Sequence, residues 1–361
     1  MNELVIITGV RPQYIKAATL TYELQKAHVN KSVIHIIDIG QHYSPELSKN
    51  IISELNLKIN FKIIHKKNST AIQIIANSLI QIEKYLESKR IANPTFIVLG
   101  DANPALVGGI VGLKMGSKIV HIEAGARRNP YEQEHANSRL IDSISDLRLC
   151  VTPRAVKNLE IEGCKENSIL TGDMAWRWYN NILNEKFSGK NGIKSKKEVL
   201  VSIHRTQNIR RDVIQNIFQA LERTSLKATW IIHPRTKDLL KTTISGKNIK
   251  TIEPLTFFSV ISKLSECSFL ITDSGGLARE AHYFKKPVLM RRDNSGWPEL
   301  KELGVLLNIK NEIPNIISGI QWAKKLNKNY PNVTPFYFEG GINLGIKSII
   351  DISKIKNERY V

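Results

Sequence analysis

Three carboxylic acids stand close to apolar runs that read as strands. Asp101 follows the run at 96–99, Glu123 ends the run at 119–123, and Glu134 precedes a helical segment. Carboxyl ends of parallel strands meet at one edge of a sheet, so we expect these acids on one rim. Crowded carboxyl groups can divide into a proton donor and a proton acceptor. Helix capping is the competing interpretation for Asp101 and Glu134.

The turn after the first apolar run, Leu4–Thr8, has a composition suited to anions. It contains Arg11 and Lys16, and Pro12 fits the first turn of a helix. A helix N-terminus attracts anions through its free N–H groups and the helix dipole. The segment therefore indicates phosphate binding, with two solvated cations at an ordinary strand–helix turn as the alternative.

A second anion-binding candidate follows a late strand at 269–272. Ser274, Gly275 and Gly276 offer a hydroxyl and backbone N–H groups at the start of a helix, which suits a diphosphate. Glu280 lies four residues after Gly276, where its carboxylate could accept hydrogen bonds from a ribose diol. The alternative is that Ser-Gly-Gly only caps the helix.

Two histidine–arginine segments also follow strand-like runs. His204 precedes Arg205 directly, and His233 and Arg235 flank a proline. Any one histidine is more often structural than functional, but two of them beside arginines at equivalent strand ends favour phosphate binding.

Short apolar runs alternate with amphipathic segments of helical length along the whole chain, which predicts an α/β protein with parallel sheets. Strands are expected at 4–8, 33–39, 61–64, 96–99, 119–123, 148–151, 198–203, 228–232, 249–252, 269–272 and 288–290. The polar, basic segment at 180–197 is typical of a linker or an exposed insertion. We therefore expect two doubly wound, Rossmann-like domains facing a cleft, at 1–175 and 176–345, with a C-terminal helix over 346–361 packing back on the first.

Composition restricts the class of protein further. The 361 residues include 52 Lys+Arg and 33 Asp+Glu, a net charge of +19, which suits an anionic partner. The lysines are scattered without interleaved aromatic residues, so we expect no nucleic-acid partner. Three distant cysteines indicate neither a disulfide framework nor a metal site. Since no signal peptide or membrane span is recognised, we expect a cytoplasmic protein.

Together these segments resemble the non-hydrolysing UDP-N-acetylglucosamine 2-epimerase family, and most of all its branch acting on UDP-2,3-diacetamido-2,3-dideoxyglucuronate. The similarity runs in order along most of the chain. It consists of GVRPQYIKAA at 9–18, GQHY at 40–43, GDAN at 100–103, HIEAGAR at 121–127, EHAN and SISDL within 134–147, TGD at 171–173, HRTQN at 204–208, HPRT at 233–236, TDSGGLAREA at 272–281, RRDNSGWPEL at 291–300 and FEGGINLGIKSII at 338–350.

The resemblance implies a glycosyltransferase-B-like fold and inversion at C2 of a UDP-bound amino sugar without cofactor or metal. The reaction would proceed by anti elimination of UDP to a glycal and its re-addition with C2 protonated from the opposite face. The resemblance also implies a UDP-sugar substrate, a role in polysaccharide biosynthesis and a homodimer.

Individual residues match the family's functional positions. Asp101, Glu123 and Glu134 match its catalytic acids, His204 its catalytic or phosphate-facing histidine, and Arg11 and Lys16 its cleft cations. Ser274, Gly275, Gly276 and Glu280 match its UDP site. Gln41 and His42 match residues that, in bacterial members, help bind a second UDP-sugar as an allosteric activator, and a place in the lining of the cleft is the alternative for both.

The chain also departs from the family pattern. Where Pro-Glu-Glu-x-Asn-Arg is usual, His135 replaces the second acid and Ser138 replaces the arginine, with Arg139 one residue later. Ala102 stands for a threonine, and Arg177 stands where an aspartate is common.

Other functions stay open at this point. A hydrolysing 2-epimerase or a retaining glycosyltransferase of the same fold would also bind UDP, although a transferase does not need three acids on one rim. A non-catalytic UDP-sugar-binding protein is a further alternative.

Overall fold

The computed structural model describes residues 3–40, 45–66, 68–127, 130–187, 198–232, 236–237, 246–292, 297–331 and 341–354. Contacts between residues divide the chain into two compact units. The first unit is Met1–Trp178 with Pro335–Val361, and the second is Tyr179–Thr334. The chain therefore leaves the first unit within one helix and returns to it near the C-terminus.

The first unit is built on a seven-stranded parallel sheet in the order β3-β2-β1-β4-β5-β6-β7. Its strands are β1 (Leu4–Thr8), β2 (Ile34–Asp38), β3 (Phe61–Lys62), β4 (Thr95–Leu99), β5 (Lys118–Ala124), β6 (Leu147–Cys150) and β7 (Ser168–Leu170). The strand order reverses direction between β1 and β4, and parallel α/β sheets bind ligands beyond the carboxyl ends of strands at such a point.

The second unit contains a six-stranded parallel sheet in the order β10-β9-β8-β11-β12-β13. Its strands are β8 (Glu198–Ser202), β9 (Lys227–Ile231), β10 (Ile249–Ile252), β11 (Phe269–Thr272), β12 (Val288–Met290) and β13 (Leu306–Asn308). Here the order reverses between β8 and β11. The prediction of two doubly wound α/β units is confirmed.

Helices alternate with the strands along most of the described chain. They are α1 (Arg11–Lys26), α2 (Pro45–Glu54), α3 (Ala71–Lys89), α4 (Asn103–Lys114), α5 (Gln133–Ile144), α6 (Pro153–Ile161), α7 (Met174–Phe187), α8 (Arg211–Arg223), α9 (Phe257–Glu266), α10 (Gly275–Tyr283), α11 (Pro298–Glu302), α12 (Ile313–Lys328) and α13 (Gly341–Ser353). Short 3₁₀ turns cover Lys31–Val33 and Thr206–Asn208. No helix in the described part of the chain is both long and apolar enough to cross a bilayer.

Close packing of α4 on the first sheet sets the position of the residues before it. A methyl group on Gly108 would lie only 2.7 Å from Ile7 and 2.8 Å from Val98, so no larger residue fits between this helix and strands β1 and β4. Buried apolar side chains from β1, β2 and β4 fill the space around it. The helix N-terminus is therefore held firmly beside the end of β4.

Several elements differ from the sequence-based predictions. The strands β7 and β13 were not predicted. Each has only three residues and lies at a sheet edge, and it lacks the longer apolar run of a buried strand. Residues 180–187, read as the start of a linker, are the second half of α7. The C-terminal helix spans Gly341–Ser353 and packs on α1, β5 and β6, whereas it was expected over 346–361.

A buried histidine in the second unit makes stability depend on pH. His282 on α10 is 1% exposed, and its Nδ1 lies 2.6 Å from the hydroxyl of Tyr330. Burial disfavours the charged ring and lowers the pKa of His282 from 6.5 to about 4. The unfolded chain therefore binds a proton between these pH values that the folded chain does not.

We predict that His282 contributes stability above pH 6.5 that is lost as the pH falls towards 4. Between pH 7.5 and 5 this loss amounts to about 2 kcal/mol. Urea unfolding of the parent and of His282→Gln measures it, because the variant should lose this part of the pH dependence. Tyr330→Phe is the control and should keep the dependence, since burial rather than the hydrogen bond causes the shift. A parent and a His282→Gln variant with equal pH dependence would contradict the prediction.

Candidate active site

The first candidate site lies at the carboxyl edge of the first sheet, where the strand order reverses. Gln13 on α1 donates from its side-chain amide to the carbonyl of Leu99 at 2.9 Å, which joins the turn after β1 to the end of β4. Arg11 is the first residue of α1, and Asp101 follows β4. The fold therefore brings together the two segments that the sequence assigned to anion binding and acid–base chemistry.

A buried ion pair joins two of the predicted site residues. Lys16 Nζ lies 2.5 Å from Glu123 Oε2, and both side chains are at least nine-tenths buried. Burying two charges is costly unless they pair closely, so this geometry ties α1 to the end of β5. Lys16 is thus not a solvated cation, and the competing interpretation of this turn is wrong for this residue.

Backbone geometry directs the Glu123 side chain towards this pair. The pairing of β5 with β6 shifts register between Ile122 and Ala124, and Glu123 has φ of 71° in the left-handed region. A bulge of this kind turns one side chain out of the regular alternation of a strand. Gly100 lies against the Lys16–Glu123 ion pair, because a methyl group on Gly100 would be 3.4 Å from Lys16 Nζ and 3.5 Å from Glu123 Oε2.

Asp101 and Glu134 are not helix N-caps. The N-cap of α4 is Ala102 and that of α5 is Glu132. Glu134 lies exposed in the first turn of α5. One turn later, Asn137 donates from Nδ2 to the carbonyl of Asp101 at 3.0 Å, so the start of α5 is tied to the loop after β4. Helix capping therefore does not account for either acid.

Arg127 is the centre of a charged network behind this edge. Its guanidinium binds Glu162 with two hydrogen bonds of 2.9 and 2.5 Å and lies 2.8 Å from Asp142. Burial alone would raise the pKa of the Asp142 carboxyl, but His121 and Arg127 outweigh it and hold this pKa below its usual value. Asp142 is therefore ionised at neutral pH.

The departures from the family pattern have definite places in this unit. Ser138 is buried, receives a hydrogen bond from Arg127 at 3.0 Å and donates one to the carbonyl of Ala126. Arg139 is 58% exposed and lies 3.6 Å from Glu162. Arg177 on α7 donates to Asn343 of α13 at 3.0 Å, so it joins the two helices.

In the second unit, the buried carboxylate of Asp273 organises the corresponding edge. It accepts hydrogen bonds from the backbone N–H groups of His204 and Arg205 at 3.2 and 2.9 Å and from Asn208 Nδ2 at 3.0 Å. His204 Nδ1 also lies 3.2 Å from Asp273. Asp273 was not among the predicted site residues, although its place directly after a strand and before Ser274 was a usable signal.

The N-terminus of α10 adjoins this carboxylate. Ser274 is the N-cap and its hydroxyl accepts a hydrogen bond from the N–H of Leu277 at 3.3 Å, so the capping interpretation holds for this residue. Among the described residues, a methyl group on Gly276 would meet only Ser274 Oγ, at 4.0 Å, so none of them fills the space beside this backbone. Glu280 is buried on the same helix, together with its neighbour Arg279, which stacks on the Trp297 ring.

Four predicted site residues, Gln41, His42, His233 and Arg235, lie outside the described residues. Within the described ranges, no group of three or more His, Cys, Asp or Glu side chains could hold a metal ion. The described site residues thus form two groups, one at the carboxyl edge of each sheet. The first is anionic with a paired lysine, and the second has N–H groups, a histidine and an arginine.

Comparison with known proteins identifies the family. A family model described as UDP-N-acetylglucosamine 2-epimerase matches residues 24–351. The UDP-N-acetylglucosamine 2-epimerase of Methanocaldococcus jannaschii is 30% identical, with 91% of this chain and 94% of the relative covered. The UDP-2,3-diacetamido-2,3-dideoxy-D-glucuronate 2-epimerase of Pseudomonas aeruginosa is 27% identical, with 84% and 86% covered. The chain belongs to the UDP-N-acetylglucosamine 2-epimerase family, as its motifs predicted.

Solved structures agree with this assignment. The M. jannaschii enzyme in complex with UDP-GlcNAc and UDP has a TM-score of 0.81 at 28% identity, with 97% of this chain and 99% of that chain covered. Phytolacca americana UGT2, a GT-B glycosyltransferase, has a TM-score of 0.59 at 10% identity, which reflects the fold alone. The predicted glycosyltransferase-B-like fold is confirmed.

We predict that Asp273→Asn destabilises the protein. In the parent several N–H donors share the Asp273 carboxylate, and in the variant the amide NH2 group would face one of these donors and could not accept its hydrogen bond. A buried donor left without an acceptor costs about 1–3 kcal/mol, which should lower the urea midpoint clearly. Asp212→Asn, an exposed change in the same unit, is the control and should keep a midpoint close to the parent's. A midpoint of Asp273→Asn as high as that of the control would show that the buried carboxylate is dispensable.

Proposed function

We propose that the protein is a non-hydrolysing 2-epimerase of UDP-N-acetylamino sugars. The observation that carries this is the buried Lys16–Glu123 pair beside Gly100 and Asp101, at the point of the first sheet where ligands bind in α/β folds. Family membership supplies the substrate class, since relatives carry this activity in their names and one was solved with UDP-GlcNAc and UDP.

The proposed reaction has two half-steps. A carboxylate removes the C2 proton, the electron pair of the C–H bond forms the C1–C2 double bond, and the C1–O bond breaks to release UDP. The glycal then takes UDP back at C1 while C2 receives a proton on the opposite face. The reaction therefore requires two proton-transfer groups and a site that keeps the released UDP bound until it is added back.

Asp101, Glu123 and Glu134 are proposed to supply the proton-transfer groups, with Lys16 keeping Glu123 in place and Arg11 facing the substrate. Their positions at or beside the carboxyl edge of the first sheet support this role.

We assign UDP binding to the second unit. Backbone N–H groups at Ser274, Gly275 and Gly276 suit the diphosphate, and Glu280 suits the ribose. His204 and Arg205 are proposed to face the phosphates, because Asp273 fixes both of their backbone N–H groups.

His233 and Arg235 are proposed to complete this UDP-binding site. Gln41 and His42 are proposed to help bind a second UDP-sugar as an activator. All three cysteines are free, which supports a cytoplasmic location.

We predict that the parent protein catalyses incorporation of deuterium at C2 of a UDP-N-acetylamino sugar in deuterated water. NMR of the product should show that UDP is still attached to the sugar. Asp101→Asn and Glu123→Gln should each lower the exchange rate at least about 100-fold, the range expected for loss of a proton-transfer group. UDP affinity, measured by calorimetry, should stay within about tenfold because UDP is assigned to the other unit.

Glu83→Gln on the exposed surface of α3 is the matched control and should exchange at the parent rate. Free UDP with free sugar would instead show a hydrolysing enzyme. Tight UDP binding with no exchange in the parent would show a UDP-sugar-binding protein without this activity.

The protein is further proposed to form a homodimer through the outer face of α3, α4 and α5. In the first unit α4 packs between the other two helices. Ile72 and Ile80 of α3, Leu113 of α4 and Leu140 of α5 are 79%, 51%, 49% and 54% exposed. Exposed apolar side chains on three neighbouring helices favour an association surface, and a two-fold pair of identical faces would cover both copies.

We predict that Ile80→Glu combined with Leu140→Glu separates the dimer, because each copy would place charges against apolar side chains of the other. Analytical ultracentrifugation should give twice the chain mass for the parent and the single mass for the double variant. Ile161→Glu, which changes an isoleucine of α6 that is 74% exposed, should remain dimeric. A double variant that stays dimeric would place the interface elsewhere.

A further inference from the structure

One buried carboxylate binds the chain on both sides of Glu123. Asp142 Oδ1 lies 2.7 Å from the Nδ1 of His121, two residues before Glu123. Asp142 Oδ2 accepts a hydrogen bond at 3.1 Å from the N–H of Gly125, two residues after it. Asp142 is fully buried on α5, so its position is fixed by the packing of that helix. The carboxylate therefore spans the bulge in β5.

The bulge requires such support. A left-handed backbone conformation costs a residue with a side chain about 1–2 kcal/mol, and it persists only where its surroundings impose it. Glu123 adopts this conformation with φ of 71°. The two flanking hydrogen bonds to Asp142 hold the chain on either side of the unfavourable residue. They thereby set the direction in which the Glu123 carboxylate leaves the strand.

His121 extends this support to the neighbouring strand. Its second ring nitrogen, Nε2, lies 2.9 Å from the carbonyl oxygen of Gly100, and this oxygen can only accept. The N–H of Gly100 in turn donates to the carbonyl of Ile122 at 2.8 Å. Gly100, the residue before Asp101, is thus held through both backbone groups to β5.

The charges around Asp142 favour this arrangement. Arg127 lies 2.8 Å from Asp142 Oδ2 and is itself held by Glu162. The Arg127 guanidinium therefore lies between two carboxylates behind the site. Because the carboxylate is ionised, it can accept every hydrogen bond directed at it, which an amide in its place could not.

We propose that Asp142 is a positioning residue for catalysis, which orients Glu123 directly and the Gly100–Asp101 turn through His121. This inference rests on the proposed epimerase function for its kinetic consequences, but its geometric content is independent of that function.

The test is Asp142→Asn, compared with Asp146→Asn. Asp146 lies just after α5 and also binds β5, since it accepts from the N–H of Ile119 at 2.9 Å and from Lys118 Nζ at 2.7 Å. It does so at the start of β5, away from Glu123. The two variants therefore make the same chemical change at the two ends of one strand.

For Asp142→Asn we expect kcat for C2 exchange to fall at least about 50-fold per UDP-binding site, with KM and UDP affinity within about threefold. Asp146→Asn should keep kcat within about threefold of the parent. A lower content of folded protein would reduce the number of UDP-binding sites but not kcat per site. Parent-like kcat in Asp142→Asn, or an equal loss in both variants, would overturn the proposal.

Crystal structures of the parent and of Asp142→Asn test the geometry without reference to turnover. We expect the Glu123 φ to leave the left-handed region and the Lys16–Glu123 distance to increase in the variant. An unchanged Glu123 would overturn the inference whatever the activity, whereas a parent without exchange but with the expected displacement would overturn only the epimerase function. If Asp142→Asn does not fold, His121→Gln serves instead. It should lower kcat and release the Gly100 carbonyl, and parent-like kcat in it would also count against the proposal.

Discussion

Chain segments that leave a parallel sheet at its carboxyl edge have backbone N–H groups without partners in the sheet, and in this protein buried carboxylates accept hydrogen bonds from three of them. Asp142 receives the N–H of Gly125, and Asp273 receives those of His204 and Arg205. Both carboxylates also contact a histidine side chain. Loops that would otherwise move are therefore held by charged hydrogen bonds, which are stronger than neutral ones. The candidate site residues depend on these anchors for their positions.

The net charge of +19 suggested attraction of an anionic partner, but part of the positive charge is paired within the protein. Several cations close to the candidate site are occupied by carboxylates of the same unit, as for Lys16 with Glu123 and Arg127 with Asp142 and Glu162. Such cations shape the site rather than attract a distant anion. The scattered surface lysines supply the general attraction for anionic substrates, which salt screens.

Much of the fold could be predicted because buried parallel strands are short apolar runs, and Leu4–Thr8, Ile249–Ile252 and Phe269–Thr272 have the predicted bounds. Strand ends in turn located Asp101, Glu123 and His204. Other features have no local signal. The left-handed conformation of Glu123 and the role of Asp142 arise from contacts between residues 17 or more positions apart, which neither periodicity nor turn composition records.

The replacement of an arginine by Ser138 illustrates how such contacts alter the meaning of a motif. Ser138 is buried between Arg127 and the carbonyl of Ala126, where a side chain as long as arginine would displace both. Arg139 does not restore the missing cation, because it is largely exposed and directed at Glu162. The cation of this region is therefore Arg127, whose charge is shared between Glu162 and Asp142. In this chain the guanidinium supports the strand that carries Glu123, whose own carboxylate is paired with Lys16.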